Sequence, residues 1–270
     1  MIHLGFVGES MIGFLHFETM APVAAMEITH LVVLFLAVAG IAFLYSCVGH
    51  AGASGYIAVM ALFGLGANLI RPTALMLNIL VAIIGSFQFW RAGHFSWKLF
   101  WPFAVLSIPA AYLGGYLRLP VALLRMLIGA VLLFSAARLF FWKRDQDNTA
   151  PPAVAVALPV GAGLGLLSGL TGTGGGIFLT PLLLFCRWAR TKQASAVSAL
   201  FILVNSIAGL TGFVAAQQPI PNIVAPLAVA AVIGGASGSY LGSRKFPVRM
   251  ITLLLATVLV IAGCKLILTS

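Results

Sequence analysis

The chain has 270 residues, of which 61% are hydrophobic and 7% charged, whereas soluble domains carry about a quarter charged residues. No water-soluble fold hides that much apolar surface, which excludes a soluble enzyme or binding module. The net charge of +10 does not point to nucleic acid either, because the cations stand singly or in short groups at the ends of apolar runs, where they set membrane topology.

In chain order, residues 1–27 contain Glu9, Glu18 and Glu27 but no Lys or Arg. They lack the basic start of a cleavable signal peptide and read as a non-cytoplasmic extension. Ten hydrophobic segments follow, at about 28–46, 53–70, 73–90, 99–117, 121–142, 153–170, 174–186, 193–214, 222–242 and 248–268. Segment 174–186 is short: as a helix it covers only about 20 Å of a hydrocarbon core about 30 Å thick. The first two segments of each half are therefore expected to be short, or to form a hairpin that turns inside the membrane. The polar stretch KRDQDNTAPP holds Asp145 and Asp147, the only carboxylates after Ile28. It makes 143–152 a cytoplasmic linker between two units, 28–142 and 153–270.

Arg91, Lys98, Arg138, Lys143, Arg144, Arg187, Arg190, Lys192, Arg244, Lys245 and Arg249 fall on one side by this count, and Arg71, Arg118, Arg125 and Lys265 on the other. The positive-inside rule puts the first group in the cytoplasm and both termini outside. The location implied is a bacterial inner membrane, crossed many times.

The halves resemble each other. SCVGHAGASGY (Ser46 to Tyr56) parallels SGLTGTGGGIF (Ser168 to Phe178), and GGYLRLPV (Gly114 to Val121) parallels GSYLGSRKFPV (Gly238 to Val248), at nearly constant spacing. Five segments per half is an odd number, so the halves would be inverted relative to each other. The fold class expected is an all-α polytopic membrane protein of two inverted five-segment repeats, a recurring plan of secondary transporters with the substrate at the repeat interface.

The candidate site lies in the glycine runs. Thr171, Gly172, Thr173, Gly174, Gly175 and Gly176 would bring backbone N–H groups and a helix N-terminus close to an anion without any cationic side chain; the plainer alternative is tight helix packing. Ser46, Gly49, His50, Gly52 and Ser54 form the first-half counterpart, with His50 as an anion donor or proton carrier or a neutral imidazole bonded to a carbonyl. Asn78, Asn205, Ser195 and Ser198 are polar groups inside apolar segments, suited to substrate contact or to helix–helix bonding. Gly52-Ala53-Ser54-Gly55 fits an intramembrane serine protease motif, but the only later histidine is His94, at a segment end, so the activating base is missing. GTGGG lacks the Lys-Ser/Thr of a phosphate loop. Cys47, Cys186 and Cys264 show no metal-ligand spacing, and neither a metal nor a cofactor is expected.

With GTGGGIFLTPLLL, the AxxxSALF run from Ala194 to Phe201 and RAGHFSW (Arg91 to Trp97), the chain from about Leu36 to Leu268 resembles the TauE/SafE family of sulfite exporters, also called the toluene sulfonate uptake permease family. The resemblance implies transport of sulfite, sulfoacetate or related organosulfonates. The expectation is a membrane transporter, not an enzyme, that exports such an anion by alternating access. Its partners would be that anion and the lipid bilayer, with a homodimer left open. An anion channel of the same architecture and a non-transporting membrane subunit are the alternatives.

Overall fold

A computed structural model describes residues 28–47, 50–140 and 149–242, together with positions 260, 264, 267 and 268. The expected extension 1–27, most of the linker, most of segment 248–268 and the candidate Gly49 lie outside the described residues. Within them every regular element is an α-helix: α1 (Ile28–Cys47), α2 (Ala53–Leu62), α3 (Ala67–Arg91), α4 (Trp97–Tyr116), α5 (Val121–Phe140), α6 (Val154–Thr171), α7 (Gly176–Phe185), α8 (Thr191–Ala215) and α9 (Val224–Gly242).

Six of these, α1, α3, α4, α6, α8 and α9, are long and apolar enough to cross a membrane. Their outer faces carry exposed Leu36, Phe87, Trp90, Leu113 and Ile233, side chains that only a hydrocarbon solvent accommodates at this density. The helices α2 and α7 have 10 residues each. At about 15 Å they reach half the thickness of a core about 30 Å deep. The expected segment 53–70 therefore ends early. Gly64 adopts φ +79, its N–H bonds to Ala61 O, and the Leu65 N–H reaches back to Met60 O, a Schellman cap that stops α2 at Leu62. Residues 67–70 belong to α3 instead.

The buried residues form two separate cores. One gathers Leu34 and Val38 of α1, Ile57 and Met60 of α2, Leu77 and Val81 of α3, Ile128 of α5 and Leu227 and Ala230 of α9. The other gathers Phe100 and Phe103 of α4, Ala157 of α6, Leu179 and Leu183 of α7 and Val197 and Phe201 of α8. Each lobe thus takes one helix, α9 in the first and α4 in the second, from the other half of the sequence. They meet along a seam where α3 lies against α8.

The exchanged helices are held by backbone contact. Gly161, Gly165 and Gly169 of α6 lie so close to Phe103, Ser107 and Ala111 of α4 that an added Cβ would sit 2.1–2.2 Å from their carbonyl oxygens; Gly234 and Gly238 approach Ala39 and Phe43 of α1 equally closely. Small residues spaced four apart permit this approach in lipid, where no hydrophobic effect drives helices together. Gly165→Ala is accordingly expected to destabilise the protein by about 3 kcal/mol or more, since α4 must move away along its length. Gly163→Ala, two residues along the same helix with nothing within 4 Å, should be neutral or gain about 1 kcal/mol from helix propensity. Thermal unfolding of the two variants in detergent checks the contrast.

Candidate functional site

Both glycine runs break a helix inside the protein. Gly172 ends α6 in the left-handed region at φ +78, with its N–H on Ser168 O at 2.9 Å. Gly174 and Gly175 follow at φ +73 and +77, conformations that cost any residue with a Cβ, and α7 starts at Gly176. The first N–H groups of a helix have no intrahelical acceptor. Those of Gly174, Gly175 and Gly176 find no backbone acceptor among the described residues. In the first half Gly52, at φ +98, begins α2 in the same way.

Three elements enclose the second-half turn. A Cβ on Gly174 would lie 2.7 Å from Ile202 Cγ2, 2.9 Å from Ser206 Oγ and 3.1 Å from Asn78 Nδ2, and one on Gly175 would lie 3.3 Å from the Ser168 Cβ. Asn78 Nδ2 donates to Gly172 O at 3.5 Å, the outer limit of a bond. The hydroxyls of Ser168 and Ser206 are buried without a partner, as is Asn78 Oδ1. Unpartnered buried polar atoms cost about 1–3 kcal/mol each, so several around one helix N-terminus make this turn the candidate site. Thr171 donates to Leu167 O at 2.6 Å and lies 3.0 Å from the buried Thr173 hydroxyl, which holds the rim of the turn. Asn205 Nδ2 donates to Phe201 O at 2.9 Å within its own helix, leaving Oδ1 unpartnered.

The first-half turn reaches the same lobe through one chain of bonds. His50 Nε2 is 3.0 Å from Thr180 Oγ1 of α7, and the Thr180 hydroxyl donates to Ser198 Oγ of α8 at 2.8 Å. A hydroxyl has one proton to give, so His50 is the donor to Thr180. Ser54 instead pairs with the Tyr45 hydroxyl at 2.8 Å. Ser46 and His50 line a cleft with Val81, Phe89 and Ser239, and the Ser46 hydroxyl has no partner. Ser195 is buried on α8. Ser198, Ile202 and Ser206, spaced four apart, give α8 one face that serves both turns.

Four contributors lie outside the candidate set read from the sequence: Ser168, Thr180, Ser206 and Arg71. Thr180 and Ser206 are polar residues inside apolar runs, which is signal enough for notice. Arg71 was counted among outer cations, but it is 2% exposed, and its backbone packs 2.8 Å from a Cβ built on Gly172. All five carboxylates of the chain lie outside the described residues. Among the described residues no three His, Cys, Asp or Glu side chains group as metal ligands.

The sequence pattern of the family described as "Sulfite exporter TauE/SafE" matches residues 33–266. A protein of Sinorhizobium fredii named as a probable membrane transporter is 41% identical over 232 residues, covering 84% of this chain and 94% of that protein. Another so named, from Methanocaldococcus jannaschii, is 26% identical over 221 residues, covering 75% and 80%. No solved structure matches.

Proposed function

Because the chain belongs to the TauE/SafE family of sulfite exporters, a family of membrane transporters, we propose that it moves a small sulfur-containing anion, such as sulfite, sulfoacetate or an organosulfonate, out of the cell by alternating access. The observation that carries this reading is the buried N-terminus of α7, where glycines at positive φ adjoin Ser168 and Ser206, whose hydroxyls have no partner. A helix N-terminus favours negative charge, and several aligned donors offset the cost of stripping water from an oxyanion.

The helix lengths support an inverted-repeat plan. They run 20, 10, 25 and 20 residues for α1 to α4 and 18, 10, 25 and 19 for α6 to α9. The α4–α6 contact has its counterpart in α9–α1. Alternating access then means that the two lobes rock along the α3–α8 seam, which both turns border. With the Arg91 and Arg187 ends of their helices in the cytoplasm of a bacterial inner membrane and both termini outside, an anion leaving the cell gains about 2.3 kcal/mol per charge per 100 mV. Export needs no coupling ion.

Purified protein in liposomes loaded with sulfite, sulfoacetate or an aromatic sulfonate tests the reading. Efflux that saturates with concentration and accelerates under an inside-negative potential is the expected outcome. Absence of flux for every such anion would refute it, and flux that never saturates would make the protein a channel.

A further inference from the structure

The most unusual charge in the molecule is Arg71. It sits at the start of the second turn of α3 and reaches across the seam into the other lobe. Its Nε donates to Gly169 O at 2.9 Å, Nη1 to Leu117 O at 3.2 Å, and Nη2 to Gly115 O at 2.6 Å and to Gly114 O. Its guanidinium carbon lies 5.6 Å from the centre of the Phe213 ring of α8. Four of five N–H donors are therefore spent on the carbonyl ends of α4 and α6, and a fifth contact, to an aromatic face, adds attraction. The C-termini of two helices each present about half a negative charge. Together they balance one guanidinium, which explains how a cation is buried here without a carboxylate.

The cleft of Ser46, His50 and Phe89 lies at the opposite end of α3. Phe89 is 18 positions beyond Arg71, about 27 Å along a helix, so the two features belong to opposite faces of the membrane. Between them the seam carries Asn78 against Gly172, then His50 against Thr180. One end is tied by a multidentate charged clasp, and the other borders a small cleft that holds Ser46, His50 and Ser239.

We infer that Arg71 is the latch that holds the seam shut on its own face of the membrane, so that access from that face requires the guanidinium to release the carbonyls of Gly114, Gly115, Leu117 and Gly169. This rests on the alternating-access reading above. Arg71 acts as a positioning residue: it fixes the lobes and does not itself contact the anion. Lysine is a poor substitute, because a point ammonium cannot serve the carbonyl ends of two helices as a planar fork does.

The test is side-specific thiol labelling in proteoliposomes, in a background with Cys47, Cys186 and Cys264 replaced by serine. Ser206→Cys reports the mid-seam, and Ser46→Cys reports the cleft. A membrane-impermeant thiol reagent added at the Arg71 face should label the Ser206→Cys thiol at least tenfold faster when Arg71→Gln is added. Arg71→Lys should give an intermediate rate, and it carries the test if Arg71→Gln does not fold. Labelling of the Ser46→Cys thiol from the opposite face should be unchanged. Equal rates with and without the Arg71 substitutions, or faster labelling at both faces, would overturn the latch. Sulfite flux is read separately in the cysteine-free protein with Arg71, Ser46 and Ser206 intact: the latch can fail while flux persists, whereas failure of the transport reading appears as no flux in that protein.

Discussion

Gly174→Ala is expected to lower anion flux by about a hundredfold, while Gly64→Ala leaves it within about twofold of the wild type. Both glycines are left-handed, at φ +73 and +79, so both substitutions carry backbone strain of about 1–3 kcal/mol. Only at Gly174 does the new methyl collide, 2.7 Å from Ile202 and 2.9 Å from Ser206 Oγ; at Gly64 nothing lies within 4 Å. Overpacking adds about 1–3 kcal/mol, and a methyl here also pushes Ser206 away from the N-terminus of α7. About 2.7 kcal/mol of lost binding or barrier height is a hundredfold in rate. Initial flux rates of the two variants, normalised to reconstituted protein, check the pair; equal losses would show that the effect is backbone strain alone.

Thr180→Val should be the most damaging conservative change outside the glycine turns. Valine matches the shape of threonine but cannot accept from His50 or donate to Ser198, so both buried partners lose the atom that links them. Leaving buried polar groups short of a partner costs about 1–3 kcal/mol each, giving a destabilisation of about 2–6 kcal/mol together with loosening of the bond chain that joins the first-half turn to α7 and α8. The melting temperature in detergent and the flux should both fall, and Thr180→Ser, which keeps the hydroxyl, should restore most of each. A Thr180→Val protein with wild-type melting and flux would remove the chain from the account.

Much of this arrangement could be read from the sequence, because a bilayer writes itself into apolar run length. Segments expected at 28–46, 99–117, 193–214 and 222–242 correspond to α1, α4, α8 and α9 within two or three residues, their ends marked by Pro, Gly and single cations. The boundary that shifted, between 53–70 and α3, lies where Phe63, Gly64, Leu65 and Gly66 keep hydropathy high while Gly64 turns the backbone. Hydropathy does not register a left-handed glycine. The glycine turns were legible as breaks within apolar sequence, and His50 and Asn78 as polar groups beside them. What could not be read was partnership. Arg71 looks like any cation at a segment end, and its burial depends on carbonyls 43 to 98 positions away. Thr180 meets His50 across 130 positions. The exchange of α4 and α9 between lobes is likewise a property of packing: the glycines that permit it are visible, but not the helix each one faces.

The central claim is that an oxyanion binds at the N-terminus of α7. Selenite has the shape and charge of sulfite and a heavy atom that can be located by anomalous scattering. Crystals of the protein grown with selenite should give an anomalous peak within hydrogen-bonding distance of the Gly174, Gly175 and Gly176 N–H groups and the Ser206 hydroxyl. An ordered selenite elsewhere, with this turn still closed on Ile202 at concentrations that saturate flux, would contradict the account.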